Sequence, residues 1–117
     1  MIESSLPDSQ AAAVFLVQAL GPTLVAALSG TRDRKLPEAW TKDSGPEPDS
    51  DAAARLNAAL SCWNLVAGAE GPDVARAWFI GGNPWLDDDT PVTAIREGWF
   101  GETAVAAQAM AEGSFSG

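Results

Sequence analysis

Glycine and proline cut this sequence into short apolar segments, and that punctuation restricts what it can fold into. Proline suits the first turn of a helix, where its missing N–H is not needed; glycine suits the residue just past a helix end. Asp8 or Ser9 can cap a first helix, with Pro7 ahead of it, and residues 11–20 are apolar almost all round, as expected of a buried helix. Gly21-Pro22 breaks that helix and opens a second over 22–30, closed by Gly30. Residues 31–35 read as a polar turn, 36–43 as a short helix with Pro37 near its start, and 44–51 as an acidic, proline-bearing loop. Asp49, Ser50 and Asp51 offer caps for a long helix running to about Ala67. In it Leu56, Leu60, Trp63 and Ala67 recur at helical spacing, with Ala59 and Val66 beside them. After a break over 68–72 come a short helix over 72–80, a loop over 81–89, a helix capped by Thr90 and ended by Gly98, and a last helix over 99–113. No segment alternates β-branched and polar residues as a strand would. The expectation is an all-α, single compact helical domain of six or seven helices.

The residue inventory points away from catalysis. There is no histidine, which removes the usual general base and most zinc or iron sites. The single cysteine, Cys62, lies on the long helix beside Trp63 and reads as a small buried hydrophobe. No serine sits in a nucleophile elbow, and no glycine-rich phosphate loop is present. Asp87, Asp88 and Asp89 are the one carboxylate cluster. They read better as solvated acids ahead of a helix N-terminus than as cation ligands. No catalytic residue, metal or cofactor is therefore nominated. The apolar stretches are shorter than the roughly 20 residues a membrane span needs, and the N-terminus does not look like a signal peptide. A cytoplasmic protein is expected.

Charge is unevenly spread. The net charge is −9, carried entirely by residues 43–117, whereas residues 1–42 balance. Arg32, Arg34, Lys35 and Lys42 make up more than half of the 7 cations. A short helix, a polar turn and a second short helix among those cations resemble a helix-turn-helix, in which they would contact phosphates or bases. Set against this is the acidity of the whole chain, which repels nucleic acid.

The chain holds five tryptophans: Trp40, Trp63, Trp78, Trp85 and Trp99. Trp63 and Trp78 are expected in the core. Trp85, between Pro84 and Leu86, is either folded back as a lid or exposed as an interface anchor; Trp99 and Phe100 follow a helix-ending glycine and lean towards lids.

Residues 75–98, ARAWFIGGNPWLDDDTPVTAIREG, carry a more specific pattern. Ala75, Arg76, Trp78, Asn83, Pro84, Leu86, Pro91, Ile95 and Gly98 resemble the toxin-binding domain of the Xre/MbcA/ParS-type antitoxins. Residues 109–115 resemble the tail of such proteins, and the upstream half resembles their degenerate Xre helix-turn-helix, with Trp40 in the second helix. Where that family carries a glycine pair after the Asn-Pro-x-Leu loop, this sequence has Asp87 and Asp88. The resemblance implies a helix-turn-helix-like half over 8–67 and a toxin-binding half with a C-terminal tail over 68–117. It implies an antitoxin that blocks the active-site cleft of a RES-domain, NAD-degrading toxin, as a homodimer or a hetero-oligomer with that toxin. Operator DNA is a second implied partner. The toxin-binding residues would be Trp78, Asn83, Pro84, Trp85, Leu86, Glu112, Gly113, Ser114, Phe115 and Ser116. Asn83 is expected to organise its loop through side-chain bonds to backbone. The alternative reading is a DNA-binding regulator without a toxin, using Arg32, Arg34, Lys35 and Lys42.

Overall fold

Two glycines set the path of the backbone. Gly21 (φ 90°, ψ 156°) and Gly71 (φ 93°, ψ 164°) share a conformation that side-chain-bearing residues essentially never adopt. Each ends one helix and begins the next. The Gly21 N–H donates to the Val17 carbonyl at 2.9 Å, while its own carbonyl accepts from Val25 N at 3.2 Å. Gly71 repeats this between Ala67 and Ala75, at 2.9 and 3.1 Å. The proline that follows each glycine supplies the fixed φ and missing donor of a first turn. One residue thus makes the whole connection.

The computed structural model describes residues 8–113. Among them it has seven α-helices and no strand: α1 (Asp8–Leu20), α2 (Pro22–Ser29), α3 (Leu36–Trp40), α4 (Ser50–Glu70), α5 (Pro72–Ile80), α6 (Pro91–Arg96) and α7 (Phe100–Ala111). A single 3₁₀ turn, Pro84–Leu86, interrupts the α5–α6 connection. The expected caps of α4 and α6 form. Asp49 Oδ1 accepts from Ala52 N at 2.8 Å, and Thr90 Oγ1 from Thr93 N at 3.1 Å.

The differences from the sequence-based expectation are local. α3 stops at Trp40, so Lys42 lies past its end. α4 continues through Gly68 to Glu70. An internal glycine costs a helix about 1 kcal/mol, less than packing returns, and the true break is the backbone of Gly71. The buried stripe of α4 is Ala52, Leu56, Ala59, Cys62, Trp63 and Val66, with Leu60 and Ala67 half-buried on its flank. The stripe is thus rotated slightly from the one predicted.

α4 packs against α1, α2, α5, α6 and α7, so both halves of the sequence share one core. Leu16, Leu28, Leu56, Val66, Phe79 and Ile95 are fully buried there. Burying each such side chain contributes about 1.5–3 kcal/mol. α7 meets α4 through small residues: Thr103, Ala106 and Ala107 are fully enclosed, and the Cys62 thiol donates to the Thr103 carbonyl at 3.8 Å. Phe15, Trp63, Phe79 and Trp78 form a chain of rings with centroids 5.0 to 6.4 Å apart. α3 is fastened to α1 by buried Gln10, whose Nε2 donates to the Trp40 and Lys42 carbonyls, both at 2.9 Å. No helix among the described residues is long and apolar enough to cross a membrane.

Candidate functional site

The α5–α6 connection is organised by Asn83. Its side chain is only 4% exposed, and its Oδ1 accepts from Trp85 N at 2.9 Å. Its carbonyl accepts from Leu86 N and Asp88 N, both at 2.9 Å, and its N–H donates to the Asp89 carbonyl at 3.1 Å. One residue therefore closes the turn on both sides, and the side-chain-to-backbone bond expected of Asn83 is present. The closure forces Asp87 (φ 55°) and Asp88 (φ 69°) into the left-handed region. Aspartate is among the few side-chain-bearing residues that visit it, at a cost of about 1–2 kcal/mol each. These are the two positions at which the resembling family carries glycine. Asp87, Asp88 and Asp89 do not converge: among the described residues no carboxylate, thiol or imidazole cluster is placed to hold a metal ion.

The turn sorts its side chains. Leu86 points into the core, and Trp85 stands 49% exposed. On one side of it Val74, Ala77, Trp78, Asn83, Pro84 and Met110 line an open groove of about 360 Å³, walled mostly by apolar atoms. Trp78 is 7% exposed and packs edge-on against Phe79, and its indole Nε1 is buried with no hydrogen-bond partner among the described residues. On the other side Trp85, Leu86, Asp87, Trp99 and Glu102 line a smaller hollow of about 170 Å³. Trp99 is partly exposed there, whereas Phe100 is half-buried against the core.

The structure thus brings Trp78, Asn83 and Pro84 to one groove and sends Trp85 and Leu86 to its neighbour. Glu112 and Gly113 follow Met110, a wall of the groove. Glu112 accepts from Gln108 Nε2 at 2.7 Å, and Gly113 turns the chain at φ 72°. Ser114, Phe115 and Ser116 lie outside the described residues. Sequence reasoning missed Val74 and Met110 as groove walls. Val74 and Trp78 are four apart on α5, a spacing that could have suggested the first; nothing local marks Met110.

The second set of candidates is not arranged as a recognition helix. Arg32, Arg34, Lys35 and Lys42 are all exposed. They flank α3, which itself bears no cation: it buries Pro37 and Trp40 and exposes Glu38. The preceding turn is held by its own side chains, with Thr31 Oγ1 accepting from Asp33 N at 3.2 Å and Asp33 Oδ1 from Lys35 N at 2.9 Å.

Cys62 is buried on α4, and burial pushes its thiol from 9.0 up to about 12. At neutral pH it is a protonated, inert group.

No family model, curated protein or solved structure matches this chain.

Proposed function

We propose that this chain is a protein-binding module that neutralises a partner by covering it, as an antitoxin does. The observation that carries this reading is the surface around the Asn83 turn. An apolar groove walled by Trp78, Pro84 and Met110 adjoins a half-exposed Trp85. Large aromatic side chains held on a rigid turn beside an apolar groove are the usual anchors of a protein interface. The turn is rigid because Asn83 closes it through four hydrogen bonds. Exposed Asp87, Asp88, Asp89 and Glu102 edge the same surface. A partner with a basic cleft would be drawn to them, which speeds encounter more than it tightens binding.

The motif resemblance of residues 75–98 makes that partner a RES-domain toxin. Its NAD-binding cleft would accept the acidic face, with Glu112, Gly113, Ser114, Phe115 and Ser116 reaching in alongside. A separate role on operator DNA has less support, because α3 exposes a carboxylate and no cation. The test is co-expression with the neighbouring reading frame, following cellular NAD⁺ and co-purification. The reading predicts that the neighbour alone depletes NAD⁺ and that this chain restores it in a stable complex. A harmless neighbour that does not co-purify would remove it.

A further inference from the structure

In a chain of net charge −9, cations are scarce, yet three of the seven converge on one hollow. Arg32 comes from the turn after α2, Arg55 from α4 and Arg96 from the end of α6; with Thr31 and Glu97 they line an open pocket of about 400 Å³. We propose that this pocket binds the phosphoryl groups of a small molecule of the diphosphate class.

Arg55 is held at two points. Its Nε donates to the Arg96 carbonyl at 3.0 Å and its Nη1 to the Ser29 carbonyl at 3.5 Å. Those are the last residues of α6 and α2, whose final carbonyls have no partner within their helices. Arg55 therefore ties two helix ends together and still has N–H groups to spare, since a guanidinium carries five donors. Gly30 gives Arg55 room: a Cβ there would sit 3.3 Å from its Nη1, close enough to crowd it.

Helix-end compensation explains Arg55 but not the other two arginines. The Arg32 side chain makes no hydrogen bond or ion pair among the described residues. Arg96 has one loose ion pair, Nε to Glu97 at 3.6 Å, with both side chains about half exposed. Such exposed pairs are weak. Thr31 Oγ1 accepts from Asp33 N, which leaves its own proton to donate into the pocket. Three guanidinium groups against the one carboxylate of Glu97 make the lining of this hollow net positive. That matches a phosphoryl dianion better than a monocarboxylate, and the planar guanidinium fork suits phosphate oxygens. Asp49 and Asp51 line the adjoining hollow and face Arg55 from its other side, so Arg32 and Arg96 are the two cations turned to this pocket alone. A concave pocket in an acidic protein favours a small phosphoryl compound over a duplex backbone, which the net charge repels.

The test is calorimetric titration with pyrophosphate at low ionic strength. The proposal requires saturable binding of one equivalent that weakens as salt is added. Arg32→Gln and Arg96→Gln, both at exposed positions, should each weaken it about tenfold, the worth of one hydrogen bond to a charged group. Glu97→Gln should tighten it by releasing Arg96, and Arg34→Gln, outside the pocket, should change it less than about twofold. Four outcomes would overturn the proposal: no saturable binding; equal losses from Arg32→Gln and Arg34→Gln; malonate bound as tightly as pyrophosphate; or a short duplex DNA bound more tightly than pyrophosphate.

Discussion

Two hollows of similar size lie on opposite chemical footings. The groove of about 360 Å³ beside the Asn83 turn is walled by Val74, Ala77, Trp78, Pro84 and Met110. The pocket of about 400 Å³ at the ends of α2 and α6 is walled by Arg32, Arg55, Arg96 and Glu97. The first gains most from excluding water over an apolar surface; the second gains only from a ligand that brings charge. They also differ in what holds them. The groove is supported by the core itself, because Trp78 packs on Phe79. The pocket is supported by one side chain, Arg55, spanning two carbonyls. A mutation can therefore remove the pocket and spare the core more easily than it can remove the groove.

The widest separation of the two comes from Trp78→Ala. Removing a buried indole should cost about 3–5 kcal/mol of stability in a urea titration, and the groove goes with it. Trp78→Phe should cost clearly less, since it keeps the ring against Phe79 and removes the unpartnered Nε1. Arg55→Met ranks next. It leaves the Ser29 and Arg96 carbonyls without this donor and should lose about 1–3 kcal/mol in the same titration, while abolishing pyrophosphate binding. Stability unchanged in Arg55→Met would mean that the helix-end bonds contribute nothing.

Trp85→Ala sharpens the contrast from the other side. At 49% exposure Trp85 covers only half its surface, so Trp85→Ala should cost about 1–2 kcal/mol, well below Trp78→Ala. Its loss should weaken partner binding by about 2 kcal/mol in a competition assay, as truncation of an interface anchor does. A Trp85→Ala protein that unfolds early would instead mark that ring as a lid. Asp88→Gly should stabilise by up to about 1 kcal/mol, because glycine takes φ 69° without strain. Thermal unfolding would read this as a rise of a few degrees for a domain of about this size.

The one pH-dependent effect concerns Cys62. Its thiol titrates at 9.0 when unfolded and about 12 when folded. A raised folded value means the neutral form is favoured inside, so its contribution is whole below pH 9.0 and is lost as pH rises towards 12. Urea titrations of wild type and Cys62→Ala should diverge less at pH 10.5 than at pH 8. A thiol reagent should meanwhile label Cys62 only as fast as the chain unfolds.

The two hollows also differ in how far they can be read before folding. The groove is mostly local: α5 supplies Val74 and Trp78, the Asn-Pro turn follows within six residues, and only Met110 comes from elsewhere. Asn-Pro announces its own turn, because asparagine bonds to nearby backbone and proline fixes φ. The α1–α2 limit was legible for the same reason, with Gly21-Pro22 as the local stop. The pocket was hidden because Arg32, Arg55 and Arg96 are distant in sequence and meet only when α2, α4 and α6 pack. Arg32 was grouped with Arg34, Lys35 and Lys42 by proximity along the chain, and the fold instead turns it towards Arg55. α4 runs past its expected end near Ala67, because the backbone of Gly71, and not the first glycine of that break, sets the limit.

The Gly-Pro corners bear on how such a chain can change length over its history. Each joins two helices through one residue, with no slack. An added residue would rotate the following helix by about 100° about its axis, turning its buried face to solvent. Gly21 and Gly71 should therefore hold fixed spacing to the helices on either side in any descendant of this sequence. The connection between Trp40 and Ser50 exposes most of its residues and is anchored chiefly through Gln10 at one end and Asp49 at the other. Insertions and deletions should accumulate there, so length variation would be confined to one side of the molecule while both corners stay invariant in length.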